Sequence, residues 1–321
     1  MATIYSIAEH CGVSPSTVSR AFSRPDLVRA EVRAKILATA QELGYQPNRN
    51  ARGLARGTTG AIGLTVPDIT NPFFPPLVRA VENLAWHQSQ SVLLVDTGED
   101  LDRERQALLR LREQVDGIVM VSPRAASNVL RDALAGTRGV LINRASRLLP
   151  HVIVDDAPAI DVALGRLAEL GHERVAYLGG PADSWMNSRR RSLLHATAPE
   201  HGLEIHDTGS YPATPEGGRA AVAALLDSRA TAAVAFDDVM ASGVLVELAA
   251  RGVSVPSELS VLGCDDVILS SMLNPALSSI ASAPAKLAAA ALAALVDTEL
   301  AVGLTAIPSS FVERISTGPR P

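Results

Sequence analysis

Apolar positions in the first 45 residues recur at helical spacing, and beyond residue 60 they give way to short, nearly continuous apolar runs. Ile4, Ile7, Ala8 and Cys11 lie at intervals of three and four, one face of a short helix that stops at Gly12. Ser14 is placed to cap a second helix, with Pro15 at its first position and Val18 and Phe22 on its apolar face. A third helix is predicted from about Arg29 to Leu43, with Val32, Ile36, Ala40 and Leu43 on one side, Gly44 ending it and Pro47 just beyond. Residues 47–59 hold a single large apolar residue, Leu54. They read as a linker or a weak helix, because Gly53 costs about 1 kcal/mol against alanine in a helix interior.

From Ala61 short β-rich runs (61–66, 91–96, 117–121, 140–143, 152–154, 174–180, 232–236 and 260–263) alternate with amphipathic helical stretches. Strands separated by 10–15-residue helices predict right-handed βαβ units and parallel sheets. So many strands exceed one typical sheet core, so two similar α/β lobes are expected.

At 47% hydrophobic and 20% charged residues the 321-residue chain is too apolar for wholesale disorder. No run of about 18 apolar residues suggests a membrane span. Glu9 and His10 stand where a signal peptide would need an apolar stretch, so a cytoplasmic protein is expected. Cys11 and Cys264 have no CxxC partner and predict neither a disulfide framework nor a metal site. No cofactor is expected either.

Charge changes the picture. The net value of −5 hides a basic head: residues 1–60 carry eight basic and four acidic groups, leaving the remainder at −9. A basic segment on an acidic body is a polyanion-binding pattern. Within it, Ile7 to Arg20 runs helix, glycine turn, then a capped helix bearing Ser16, Thr17, Ser19 and Arg20. That is a helix-turn-helix pattern, whose second helix enters a DNA major groove. A three-helix fragment of other function is the competing reading.

The segments IAEHCGVSPSTVSRAFSRP, ELGYQPNRNARGLARG and DITNPFFPPLVRAVE closely resemble the lactose-repressor (LacI/GalR) family of bacterial transcription regulators. The likeness continues through LAELGHERVAYLGGP, the Arg190 segment, VAFDDVMASG, SVLGCDD and NPALSSI, and so covers nearly the whole chain. It implies an α/β protein with a helix-turn-helix head at 1–46, a hinge helix at 47–59 and a core at 60–321. The core would resemble a periplasmic binding protein, with two parallel-sheet lobes, about 60–154 plus 284–309 and about 155–283 plus 310–321. Three crossovers near 154–156, 282–285 and 309–311 would join them.

The same resemblance implies a homodimer on double-stranded operator DNA. Pro15, Ser16 and Arg20 match the base-reading positions, while Thr3, Tyr5, Ser14, Thr17 and Ser19 match positions that mostly touch phosphates. Arg20 suits a bidentate contact to guanine, whereas Pro15, where the family often has a polar or aromatic residue, has no side-chain donor. The hinge match runs from Asn48 through Arg49 to Arg56. Leu54 matches the family's minor-groove wedge, whose unstacking cost is offset by contacts on bent DNA.

For a small-molecule effector, a sugar or polyol, the matched positions are Phe73, Phe74, Asn143, Arg190, Tyr211, Asp237 and Asp265, and Trp185 could add a stacking face. Carboxylates, an amide and a guanidinium saturate hydroxyls while aromatic faces cover a ring. Phe73 and Phe74 also fit a core, Tyr211 a surface phenol, and Asp237–Asp238 a helix cap, with Asp238 the capping member. Asp237 replaces the asparagine most common in the family and disfavours anionic effectors. No GxSxG or GxxxxGK[ST] motif supports an enzyme. The alternatives are a regulator of this family gated by a protein co-effector, or a free-standing sugar-binding protein, which would need a signal peptide and no DNA-binding head.

Overall fold

The computed structural model describes residues 3–45, 58–297 and 303–321. Asn48, Arg49 and Leu54 of the expected hinge lie outside the described residues. The chain divides into two units, Met1–Gly60 and Ala61–Pro321.

In the first unit the first two helices start where a hydroxyl can satisfy free N–H groups. Thr3 and Ser6 form a reciprocal capping box on α1 (Ile4–Cys11), which ends at Gly12 with φ +69°. The Ser14 hydroxyl accepts from Thr17 N at 3.2 Å to begin α2 (Pro15–Ser23). The third helix, α3, spans Ala30–Glu42. Lys35 reaches back from it to the Cys11 carbonyl at 3.2 Å, closing the end of α1. Ile7, Ala8, Cys11, Val18, Ala21, Ile36 and Ala40 make the core, the apolar face that helical spacing predicts.

The second unit holds two six-stranded sheets. The first contains β1 (Ala61–Val66), β2 (Ser91–Asp96), β3 (Gly117–Val121), β4 (Arg138–Ile142) and β5 (His151–Asp155). The second contains β6 (Arg174–Gly179), β7 (Glu204–Ser210), β8 (Ala232–Ala235), β9 (Ser260–Asp265) and β10 (Ser278–Ala281). β11 (Leu304–Pro308) then joins the first sheet and β12 (Ser310–Val312) the second, giving orders β11-β5-β4-β3-β1-β2 and β12-β10-β9-β8-β6-β7. All pairings are parallel, as expected, except that of the short β12 against β10.

The chain passes between the sheets three times: after β5, after β10, and at Ser309 between β11 and β12. Strands β3 and β8 are buried along their length, as central strands covered by helices on both faces must be. Flanking helices α4 (Phe74–His87), α5 (Leu101–Leu111) and α6 (Ser127–Leu134) belong to the first sheet. Helices α7 (Ala157–Glu169), α8 (Trp185–Thr197), α9 (Pro215–Asp227) and α10 (Asp238–Ala250) belong to the second. The last helix, α11 (Pro284–Val296), crosses back: Leu287, Ala288 and Ala291 pack with Leu77 and Val81 of α4.

The apolar pattern of the chain does not announce β7, β10, β11 or β12. β7 and β11 are edge strands exposed on most positions, so no apolar alternation marks them. β10 is buried through serines: the Ser278 hydroxyl accepts from Arg314 N at 2.8 Å and the Ser279 hydroxyl donates to Asp238 at 2.7 Å.

Candidate functional site

The head presents the hydroxyl and guanidinium groups of α2 outward. Ser16, Ser19 and Arg20 are exposed while Val18 and Ala21 of the same helix are buried, and Pro15 and Thr17 are half-buried at its start. Thr3, Ser14 and Tyr5 are exposed too, Tyr5 by 69%. The hydroxyls of Thr3 and Ser14 are engaged as caps, and Ser14 is also bonded to the Ser16 and Thr17 hydroxyls at 2.8 Å each.

The second unit has a cleft of about 250 Å³ between its two lobes. Asn71 Nδ2 of the first lobe donates across it to Asp237 Oδ2 of the second at 3.0 Å. Asp237 is the N-cap of α10 and accepts from Met240 N at 2.8 Å with its other oxygen. Burial, and next the charge of Asp265, push its carboxyl up to about 6.

The floor of the second lobe is built on Arg190, 4% exposed and projecting from α8. Its Nε donates to Asp156 at 2.9 Å, Nη1 to the Phe236 carbonyl at 2.5 Å and Nη2 to Asp265 at 2.6 Å. Burial works against the guanidinium's charge, but Asp265 above all, with Asp156, holds it well above its usual value. The guanidinium also lies over the Phe236 ring, 5.3 Å from the centroid. Asn143 sits on the opposite wall at φ +56°, a left-handed conformation that Asn tolerates. Its Oδ1 accepts from Val154 N at 3.0 Å, and the residue lines the cleft.

Phe73 and Phe74, edge to face with centroids 5.1 Å apart, line the cleft and also belong to the core of the first lobe. The pair is thus core and cleft lining at once. The cleft thus gathers Phe73, Phe74, Asn143, Arg190, Asp237 and Asp265. It does not gather Trp185 or Tyr211. Trp185 stacks on Arg189 at 5.7 Å, and the Tyr211 hydroxyl donates to the Thr208 carbonyl at 2.9 Å. In their stead Met186 and Phe236 supply apolar surface. Met186 is legible only given the rotation of α8, since a helix turns about 100° per residue. Arg124, Glu99 and Asp68 also line the cleft and escape a reading of the sequence, being loop residues with no periodicity to place them.

Asp238 is not the cap; Asp237 is. Asp238 is 1% exposed and ties three segments, accepting from Val267 N at 2.8 Å, Ser270 Oγ at 2.6 Å and Ser279 Oγ at 2.7 Å. Burial raises its carboxyl to about 7 despite those donors. A group with a raised folded pKa binds more protons folded than unfolded, so its contribution is full below about 4 and is lost as pH rises through about 7. Thermal melts from pH 5 to 8 should therefore show wild-type stability declining relative to Asp238→Asn as pH rises. Parallel pH profiles for the two proteins would contradict it.

Among the described residues no group of His, Cys, Asp or Glu is arranged to hold a metal ion, and no helix is long and apolar enough to cross a membrane.

Comparison with known proteins places this architecture. Residues 3–48 match the bacterial regulatory proteins of the lacI family, and residues 164–317 match the periplasmic binding protein-like domain. The HTH-type transcriptional regulator GalS of Salmonella typhimurium is 32% identical over 291 residues, covering 87% of this chain and 85% of that protein. Among solved structures, the lac repressor dimer bound to operator and the anti-inducer ONPF superposes with a TM-score of 0.88 at 24% identity, covering 99% of both chains. A LacI family transcriptional regulator from Enterococcus faecium with bound ribose gives 0.71 at 25% identity, covering 81% of this chain and 99% of that one. A helix-turn-helix head on a two-lobed binding-protein core defines a DNA-binding transcriptional regulator. This chain belongs to the lacI family of bacterial regulatory proteins.

Proposed function

We propose that the protein is a cytoplasmic homodimer that binds a pseudo-palindromic operator and represses transcription until a carbohydrate-like effector fills the cleft. One head offers too few contacts for a specific site, and two-fold symmetric pairing doubles them. Thr3, Tyr5, Ser14, Thr17 and Ser19 contact phosphates on this reading, with Asn48 and Arg49; Pro15, Ser16 and Arg20 face base edges, and Leu54 wedges the minor groove. The observation that carries the effector half is the cross-cleft bond from Asn71 to Asp237. It joins the two lobes through a carboxylate that also lines the ligand space, so a ligand competing for Asp237 bears directly on lobe closure. The ribose-bound relative supports the ligand class. The protein acts by differential binding rather than catalysis: Arg190 is held by two carboxylates and a carbonyl, and a guanidinium that stays charged transfers no proton.

A mobility-shift assay tests both halves. Specific binding to a palindromic site, weakening steeply with salt as phosphate contacts require and changed by added sugars, is expected. Arg20→Ala should lose roughly 1–3 kcal/mol and relax one base position. Equal binding to shuffled DNA would refute specific recognition. An operator complex indifferent to every sugar tried would favour a protein co-effector.

A further inference from the structure

Arg124 lies in the loop between β3 and α6, and that loop is held by a buried carboxylate and a half-buried guanidinium. Glu104, 3% exposed, accepts from Arg124 N at 3.1 Å and from Ala125 N at 3.0 Å. Arg144 Nη1 donates to the Pro123 carbonyl at 3.2 Å from the other side. The Arg124 side chain is itself only 7% exposed and lines the cleft from the first lobe. Its Nη2 is ion-paired with Glu99. Its buried Nε–H has no hydrogen-bond partner, and Asp183 Oδ1 of the other lobe lies 3.9 Å from it. Native proteins rarely leave such a donor unmet without a reason. A preorganised guanidinium with spare donors beside a binding cleft is arranged to meet a ligand.

We propose that Arg124 is a further effector-contacting, specificity-determining residue, which with Glu99 grips neighbouring hydroxyls of a neutral polyhydroxy ligand, in a cleft whose excess of carboxylates selects against the acidic counterparts. The proposal rests on the effector reading of the cleft. Arg124 donates to one hydroxyl oxygen and Glu99 accepts from the next, a donor and an acceptor fixed side by side by their own ion pair. Charge sets the selectivity. Asp68, Glu99, Asp237 and Asp265 line the cleft against only Arg124 and Arg190, and both arginines are already paired. A carboxylate or phosphate on the ligand would add negative charge to an excess of it, whereas a hydroxyl asks only for a donor and an acceptor.

The test is calorimetric titration of the full chain with D-ribose, D-xylose, D-glucose, D-galactose and cellobiose, and with D-gluconate and D-galacturonate as the acids. At least one neutral sugar should bind and the acids should not. Arg124→Met should weaken that sugar by about tenfold or more, as loss of a charge-assisted hydrogen bond does. Arg124→Lys, which keeps the charge but not the fork, should recover only part, and it remains decisive if Arg124→Met fails to fold. Unchanged affinity in Arg124→Lys, or acids binding more tightly than neutral sugars, would overturn this proposal and leave the effector cleft standing. Failure of every sugar to bind the wild type would overturn both.

Discussion

Arg190→Met should destabilise the second unit by about 3–5 kcal/mol and abolish any effector response. The substitution roughly preserves the length of the side chain but removes the fork that satisfies Asp156, Asp265 and the Phe236 carbonyl at once. Asp156 is 1% exposed, and its Oδ1 already lacks a hydrogen-bond partner. Losing Arg190 strands that carboxylate away from water, and breaking a buried pair from one side costs this much because the remaining charge has nowhere to go. For a unit of this size 1 kcal/mol moves the melting temperature by about 2–4 °C, so a fall of roughly 6–20 °C is expected. The sign of the pH dependence provides a check. Stranded carboxylates have raised pKa values, so Arg190→Met should regain stability relative to wild type as pH falls. Asp156→Asn in the same chain should restore part of the loss at neutral pH. A melting temperature within about 2 °C of wild type, indifferent to pH, would show that the ion network contributes little. The same geometry bears on Asp265: as a direct partner of Arg190 it cannot be replaced by alanine as a pure ligand-binding change.

Gly243→Ala should cost about 3 kcal/mol, at the upper end for overpacking, although alanine is the better helix former. Helices α9 and α10 touch backbone to backbone. A Cβ on Gly243 would stand 1.9 Å from the Pro215 carbonyl oxygen, and one on Gly218 2.0 Å from the Met240 carbonyl oxygen. Backbone carbonyls cannot rotate aside as a side chain can, so the helices must separate and the apolar contacts of Ala221, Val222, Val244 and Leu248 loosen with them. The consequence reaches the cleft because α10 begins at its wall, with Asp237 as N-cap and Asp238 tying the segment after β9. Sugar affinity should therefore fall together with the melting temperature, which calorimetry on a single preparation can read. Gly243→Ala with wild-type stability would mean that α9 and α10 can part without loss.

Local chemistry makes the head and the inner strands legible in the amino-acid sequence. A serine or threonine one residue ahead of an apolar-periodic run caps a helix wherever that run folds, which is why Thr3 and Ser14 stand where they do. Strands buried on both faces, such as β3 and β8, announce themselves as continuous apolar runs. The family likeness adds order to that reading and names six of the residues that meet in the cleft. Tertiary structure alone decides the rest. An edge strand such as β7 is made by its neighbour, not by its own side chains. One position along α8 separates Trp185, turned to Arg189, from Met186, turned to the cleft, because helix rotation is fixed by what the whole face packs against. Arg124 becomes a cleft residue only when Glu104 and Arg144, 20 residues away on either side, close on its loop. Charge and capping act over a few residues and can be read along a chain. Which loop faces which cleft depends on contacts between residues far apart in it, and those exist only once the sheets have formed.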